Sequence, residues 1–173
     1  SKKNAPCCAR CPAGAFCRAF LEGVTGELPV KTKKPGRRVE ERTVYLIFHG
    51  GAVALRKRPD KGLLASLWEF PNELLEGRSP DSALQAYALA QGFVPFAHGL
   101  LASVRHIFTH LEWHMQGRWL RVAQGTVAPP GHVWVKPAAL LQEYALPSAF
   151  KAYRAAALAQ TDAGCAADAE QVY

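Results

Sequence analysis

Two runs rich in β-branched and aromatic residues, ERTVYLIFHGG (41–51) and AVALRKRP (52–59), meet at Gly50 and Gly51. That spacing predicts a β-hairpin. LLASLWEFP (63–71) reads as a short apolar strand stopped by Pro71. The pattern then switches to helix: Ser79, Pro80 and Asp81 open a segment running to about Gln91, with Pro in the first turn and Gly92 as its C-cap. Strands follow near Ala97–Thr109 and Leu111–Ala123, a second hairpin in which Trp113, Met115 and Trp119 hold odd positions beside polar Glu112, Gln116 and Arg118. HVWV (132–135) predicts another short strand, and Pro137–Tyr144 and Pro147–Gln160 predict helices, each with Pro near its start. The order indicates a mixed α/β fold with a largely antiparallel or mixed sheet. Aromatics at alternate strand positions, namely Tyr45, Phe48, Trp68, Phe70, Trp113 and Trp119, are expected in the core.

Composition divides the 173 residues into a Cys-rich head (1–20), a basic connector (21–38), a body (39–160) and an Ala-rich tail (161–173), expected to be flexible. Hydrophobic residues at 49% and charged residues at 20% exclude wholesale disorder and fibrous repeats. No apolar run approaches the roughly 18 residues of a membrane span, and SKKNAPCC lacks the apolar core of a signal peptide. A soluble, cytoplasmic monomer is expected. Net charge is +7, and the distribution sharpens it: the chain through Lys61 carries 14 Lys and Arg against 5 Asp and Glu. Such asymmetry suits a basic arm that meets a polyanion; a solvated connector without a partner is the alternative.

Cys7, Cys8, Cys11 and Cys17 crowd into eleven residues, while Cys165 stands alone in the tail. In a reducing compartment, thiolates at C-x2-C-x5-C suit an iron–sulfur centre or another metal, because short loops converge soft sulfurs on one site. A small zinc site is the competitor, with no His nearby to complete it.

The head resembles the end of the C-x6-C-x2-C-x5-C iron–sulfur motif of endonuclease-III-type DNA glycosylases, with Cys8, Cys11 and Cys17 as its last three ligands and Ser1 at the place of the first. LPVKTKKPGRR, RPDKGLLASLWEFP, RHIFTHLEWHM and LPSAFKAY then resemble, in this order, the C-terminal half of A/G-specific adenine DNA glycosylases. The resemblance covers residues 1 to about 155. It implies a Nudix-like mixed sheet flanked by helices that recognises 8-oxoguanine in double-stranded DNA, and a partner in the N-terminal catalytic domain of the same parent protein. It also implies a [4Fe-4S] cluster in the parent; with three motif thiolates, this chain is expected to hold none. No catalytic residue falls within the chain, which alone is expected to be inactive.

Phe108-Thr109-His110 matches the family's Phe-Ser-His loop, assigned by the resemblance to the damaged base. Phe can stack on or wedge between bases, and a hydroxyl and an imidazole can hydrogen-bond the N7–H and O8 edge. Thr109 keeps the hydroxyl and adds a methyl that restricts its rotation. The competing reading is a packed hairpin end. Lys31, Lys33, Lys34, Arg37 and Arg38 are candidates for DNA-backbone contacts, with Arg56, Lys57, Arg58 and Lys61 as an extension. His106 and His114 read as structural or rim residues.

Two other functions compete. A Nudix hydrolase of oxidised nucleotides needs a helix bearing several Glu for Mg2+, whereas ALQAYALAQGF offers Gln85, Ala86, Ala88 and Leu89. Glu69, Glu73 and Glu76 lack helix partners for that role. The other competitor is a protein-interaction module that uses the basic connector as a docking arm.

Overall fold

The computed structural model describes residues 6–28, 30, 36–123 and 125–167, the last seven by backbone alone. The chain divides into two compact units after Gly36. In the first, 3-10 turns at Cys8–Arg10 and Gly14–Phe16 lead into one helical turn, α1 (Arg18–Leu21).

The second unit is built on a seven-stranded mixed sheet: β1 (Arg38–His49), β2 (Ala52–Lys57), β3 (Trp68–Glu69), β4 (Asn72–Leu74), β5 (Pro95–Ile107), β6 (Leu111–Val122) and β7 (His132–Val135). The strand order is β3-β2-β1-β6-β5, with β4 on β1 and β7 on β2. Three helices accompany it: α2 (Pro80–Gln91), α3 (Pro137–Gln142) and α4 (Lys151–Ala167).

The centre of the sheet is a parallel ladder between β1 and β6, from Arg38 opposite Leu111 to Phe48 opposite Arg121. Thr43 to Phe48 are all buried, as befits a strand covered on both faces. On one face Val44, Leu46 and Phe48 pack with Phe70, Trp113, Met115 and, from the C-terminal segment, Phe150, Tyr153 and Ala157. On the other, Tyr45 and Ile47 join Leu120 and Val122 beneath Leu84, Tyr87 and Ala88 of α2. Burying each large side chain stabilises the fold by about 1.5–3 kcal/mol.

α2 forms where its local signals place it. Ser79 caps it, accepting from the Ser82 amide at 3.1 Å, and Gly92 closes it at φ 72°, in the left-handed region that favours glycine. Ala83, Leu84, Tyr87 and Ala88 make one buried stripe. At its N-terminus the Asp81 carboxylate accepts from Arg118 of β6 at 2.6 Å.

The first hairpin, the β5–β6 hairpin and α2 agree with the sequence reading. Four details differ. β4, past Pro71, pairs antiparallel with the start of β1, Arg42 to Leu74 and Val44 to Asn72. β5 ends at Ile107 instead of Thr109, because the Phe108 amide turns in to donate to the Leu111 carbonyl at 2.8 Å. After Pro147 a 3-10 turn, Ser148–Phe150, precedes α4, and α4 runs past Gln160 to Ala167, into the segment read as tail. Trp68 and Trp119 are half-buried against the core, and the other four aromatics are buried.

The β5–β6 ladder slips between Leu100 and Ser103. Tyr153 of α4 fills that irregularity, its hydroxyl lying 3.1 Å from both the Ala102 and the Met115 carbonyls. Gly117 makes room: a Cβ there would stand 2.5 Å from the Tyr153 ring and 2.6 Å from Leu101.

Candidate nucleic-acid interface

The tip of the β5–β6 hairpin and the start of β1 lie side by side. Because β1 runs parallel to β6 from its first residue, the Arg38 amide donates to the His110 carbonyl at 3.2 Å. Arg37 and Arg38, seventy residues earlier in the chain, therefore flank Thr109 and His110, and all four are exposed. Lys31, Lys33 and Lys34 lie outside the described residues.

The Phe-Thr-His triplet divides in two. Thr109 and His110 face solvent, whereas Phe108 is half-buried, its ring 4.6 Å from His106 and 4.9 Å from Trp113, edge-on to both. Phe108 thus takes part in packing while sitting directly beside the exposed pair.

Charged groups surround the tip. Glu112 accepts from His114 at 2.7 Å and faces Arg105 at 3.4 Å. The His114 hydrogen bond first, and then the nearby charges of Arg105, His114 and Arg37, hold the Glu112 carboxyl below the usual carboxylate range. His114 therefore has a carboxylate neighbour two residues away on its own strand.

Beneath Phe108 runs a chain of buried and half-buried polar groups. Trp113, 1% exposed, donates its indole N–H to Glu40 Oε2 at 3.0 Å. The same oxygen accepts from Arg42 at 2.8 Å, and the other Glu40 oxygen accepts from Arg38. Arg42 stacks over the Trp113 ring at 4.7 Å and donates twice to Asn72 Oδ1, at 2.8 and 3.1 Å. Burial lowers the Arg42 pKa from its ordinary value, only partly offset by Glu40. Asn72 donates onward to Glu69 Oε2 at 2.8 Å.

Glu69, 2% exposed, is also the acceptor of Arg56 and Arg58. Those two arginines accordingly do not extend the exposed basic surface as the sequence reading expected; a buried carboxylate draws them inward, as desolvation demands of a charge. Lys57 and Lys61 remain exposed. Glu69 is equally removed from metal chemistry, and Glu73 pairs with Arg78 at 3.2 Å. On α2, Tyr87 points inward and donates to His132 Nε2 at 2.7 Å, while His132 Nδ1 donates to the Pro130 carbonyl at 3.1 Å. Burial pushes the Tyr87 hydroxyl up to about 12 and lowers the His132 pKa. The one carboxylate on this helix, Asp81 in its first turn, is paired with Arg118.

In the first unit, Cys7, Cys8, Cys11 and Cys17 line one pocket of about 700 Å3 together with Pro6, Ala19, Thr25 and Leu28. All four are free thiols. Among the described residues no three His, Cys, Asp or Glu side chains are placed to share one metal ion.

Glu40, Arg42, Asn72 and Tyr153 were missed in the sequence. Their one local signal is that Asn72 directly follows LWEFP and Tyr153 closes LPSAFKAY, two of the four recognisable segments.

Comparison with known proteins agrees with this architecture. The family model for the NUDIX domain matches residues 43–156. The mouse adenine DNA glycosylase is 27% identical over 75% of this chain and 35% of its own length, and the human enzyme 36% identical over 60% and 21%. The chain thus spans about a third or less of these curated relatives. Among solved structures, the C-terminal domain of mouse MUTYH in its complex with human PCNA is 28% identical, with TM-score 0.57, covering 72% of this chain and 90% of that one. MutT from Methanosarcina mazei, at 14% identity and TM-score 0.55, covers 76% of this chain and 98% of its own, and shares the fold alone.

Proposed function

We propose that this chain, a member of the NUDIX-domain family, is the lesion-reading C-terminal part of an adenine DNA glycosylase that removes adenine opposite 8-oxoguanine in base excision repair. The observation that carries this reading is the meeting of Arg37 and Arg38 with Thr109 and His110 at one end of the central β1–β6 ladder. Cations there suit phosphates, which position a protein on a duplex, and the adjacent hydroxyl and imidazole suit a base edge, which specifies sequence or damage. The likeness to adenine DNA glycosylases supports the same substrate.

In this reading the connector's Lys31, Lys33 and Lys34 follow the DNA backbone into Arg37 and Arg38. The N-terminal catalytic domain of the parent takes the flipped adenine, while this part holds the strand carrying 8-oxoguanine. The chain alone breaks no glycosidic bond. In the parent, Cys8, Cys11 and Cys17 with one further thiolate would hold a [4Fe-4S] cluster, whose contribution is to tie this loop-rich segment together. What supports this is the donor set, three soft sulfurs within ten residues of sequence.

Nucleotide hydrolysis is disfavoured among the described residues, since the one carboxylate on α2, Asp81, pairs with Arg118 and Glu69 is engaged by two arginines and an asparagine.

Replacing Phe108 and His110 by Ala in the full-length protein tests the reading. The preference for adenine opposite 8-oxoguanine over adenine opposite guanine should fall by about 1–3 kcal/mol per lost contact, read from single-turnover rates. Equal loss on both substrates would return the triplet to a packed hairpin end.

A further inference from the structure

The tip residues exposed to a base rest on a floor that the sequence motif does not contain. Phe108 lies edge-on against Trp113, and Trp113 is held from two directions, by Glu40 at its indole N–H and by Arg42 over its face. Glu40 also accepts from Arg38, whose side chain is three-quarters exposed and whose backbone is bonded to His110. One carboxylate, 12% exposed, thereby joins an arginine at the root of the basic arm to the ring beneath the hairpin tip.

We infer that Glu40 is a positioning residue for lesion reading: its two oxygens fix Trp113, and through it Phe108, in register with Arg38, so that a phosphate contact and a base contact are set at one mutual distance. The inference rests on the proposed role of the Phe108–His110 tip. Its physical basis is the low freedom of the assembly. A largely buried carboxylate with three charge-assisted or indole donors has one favourable orientation, because turning it would leave Arg42 or Trp113 without that partner. A floor held in that way cannot yield when a base presses on Phe108. Without it, Phe108 would retain its contact with His106 and lose its fixed height relative to Arg38. Glu40 touches no base itself.

The test is a double-mutant cycle in the full-length protein, with Glu40→Gln, Trp113→Phe and Phe108→Ala measured singly and in pairs. Glu40→Gln keeps the shape and an acceptor but removes the charge that orients Arg38 and Arg42; Trp113→Phe keeps an aromatic ring but removes the indole donor together with part of the packed ring surface. The ratio of single-turnover rates for adenine opposite 8-oxoguanine to adenine opposite guanine should drop about threefold to tenfold in Glu40→Gln. It should drop in the same direction and by less in Trp113→Phe. In the Phe108→Ala background, Glu40→Gln should change the ratio no further.

Thermal melting of each variant accompanies the rates, and if Glu40→Gln fails to fold, Trp113→Phe carries the cycle. A Phe108→Ala loss of preference together with an unchanged ratio in Glu40→Gln and Trp113→Phe would overturn the inference and leave the proposed function standing. Equal loss of rate on both substrates in Glu40→Gln would make Glu40 merely structural. An unchanged ratio in Phe108→Ala would overturn both.

Discussion

From Thr43 to Phe48, β1 is buried on both faces; from Arg38 to Arg42 the same strand carries two arginines and two carboxylates. Both halves pair with β6 in one unbroken register, so the backbone does not distinguish them. The difference lies in what covers each half. α2 and the C-terminal helix close over the apolar half, and Asp81 with Arg118 marks where α2 begins on β6. The other half runs out beside the exposed tip of the β5–β6 hairpin, where its charges are satisfied by one another or left for a partner. One ladder thus gives both rigidity and a place for it to act: the buried half anchors the strands, and the charged half presents side chains at a spacing that the anchor sets.

Removing an anchor should have the largest effect. Leu46→Ala, at a fully buried position of β1, should cost about 2–5 kcal/mol in urea denaturation. Arg38→Ala, at the exposed end of the same strand, should stay within about 0.5 kcal/mol. Comparable losses would erase the distinction between the halves.

Next comes the approach to the charged half. Neutralising Lys31, Lys33 and Lys34 together should weaken binding of the full-length protein to lesion and undamaged duplex about equally. It should also reduce the log–log salt slope by between two and three, at about 0.9 per phosphate contact. A parental slope would leave the connector as a soluble linker.

Much of the anchored half was legible because its signals are local. Gly50 and Gly51 between two β-branched runs mark a hairpin, and Ser79, Pro80 and Gly92 bracket a helix within a few residues of where it forms. The parallel pairing of β1 with β6 has no local signal, so nothing near Arg38 announces that its neighbour is His110. Pro71 reads as the end of a strand, yet β4 follows at once, because Asn72 to Leu74 find β1 thirty residues back. Arg56 and Arg58 look like surface cations until Glu69 is seen buried between them. Glu40 is the clearest case. Among many charged residues in a basic segment it has no distinguishing spacing, and its importance comes from Trp113, seventy-three residues away.

The smallest predicted effect concerns the cover on the anchored half. Burial holds the folded-state pKa of His132 below its unfolded value near 6.5, so the folded protein prefers the neutral ring that accepts from Tyr87. Its stabilising contribution is therefore complete above about pH 6.5 and is lost as pH falls through the lower, folded-state value. Denaturation midpoints followed from pH 7.5 to pH 5 should decline on the acid side, and His132→Gln should flatten that limb. An identical acid limb in both proteins would contradict the assignment.

The division between a buried anchor and a reading edge is tested most directly by amide chemical shifts of this chain on titration with two duplexes that differ only in 8-oxoguanine or guanine opposite adenine. Arg37, Arg38 and residues 107–111 should shift with both, and Thr109 and His110 should differ between them, while Ser82, Gln85 and Leu89 on α2 stay still. Lesion-dependent shifts centred on α2, with none at the hairpin tip, would contradict the account.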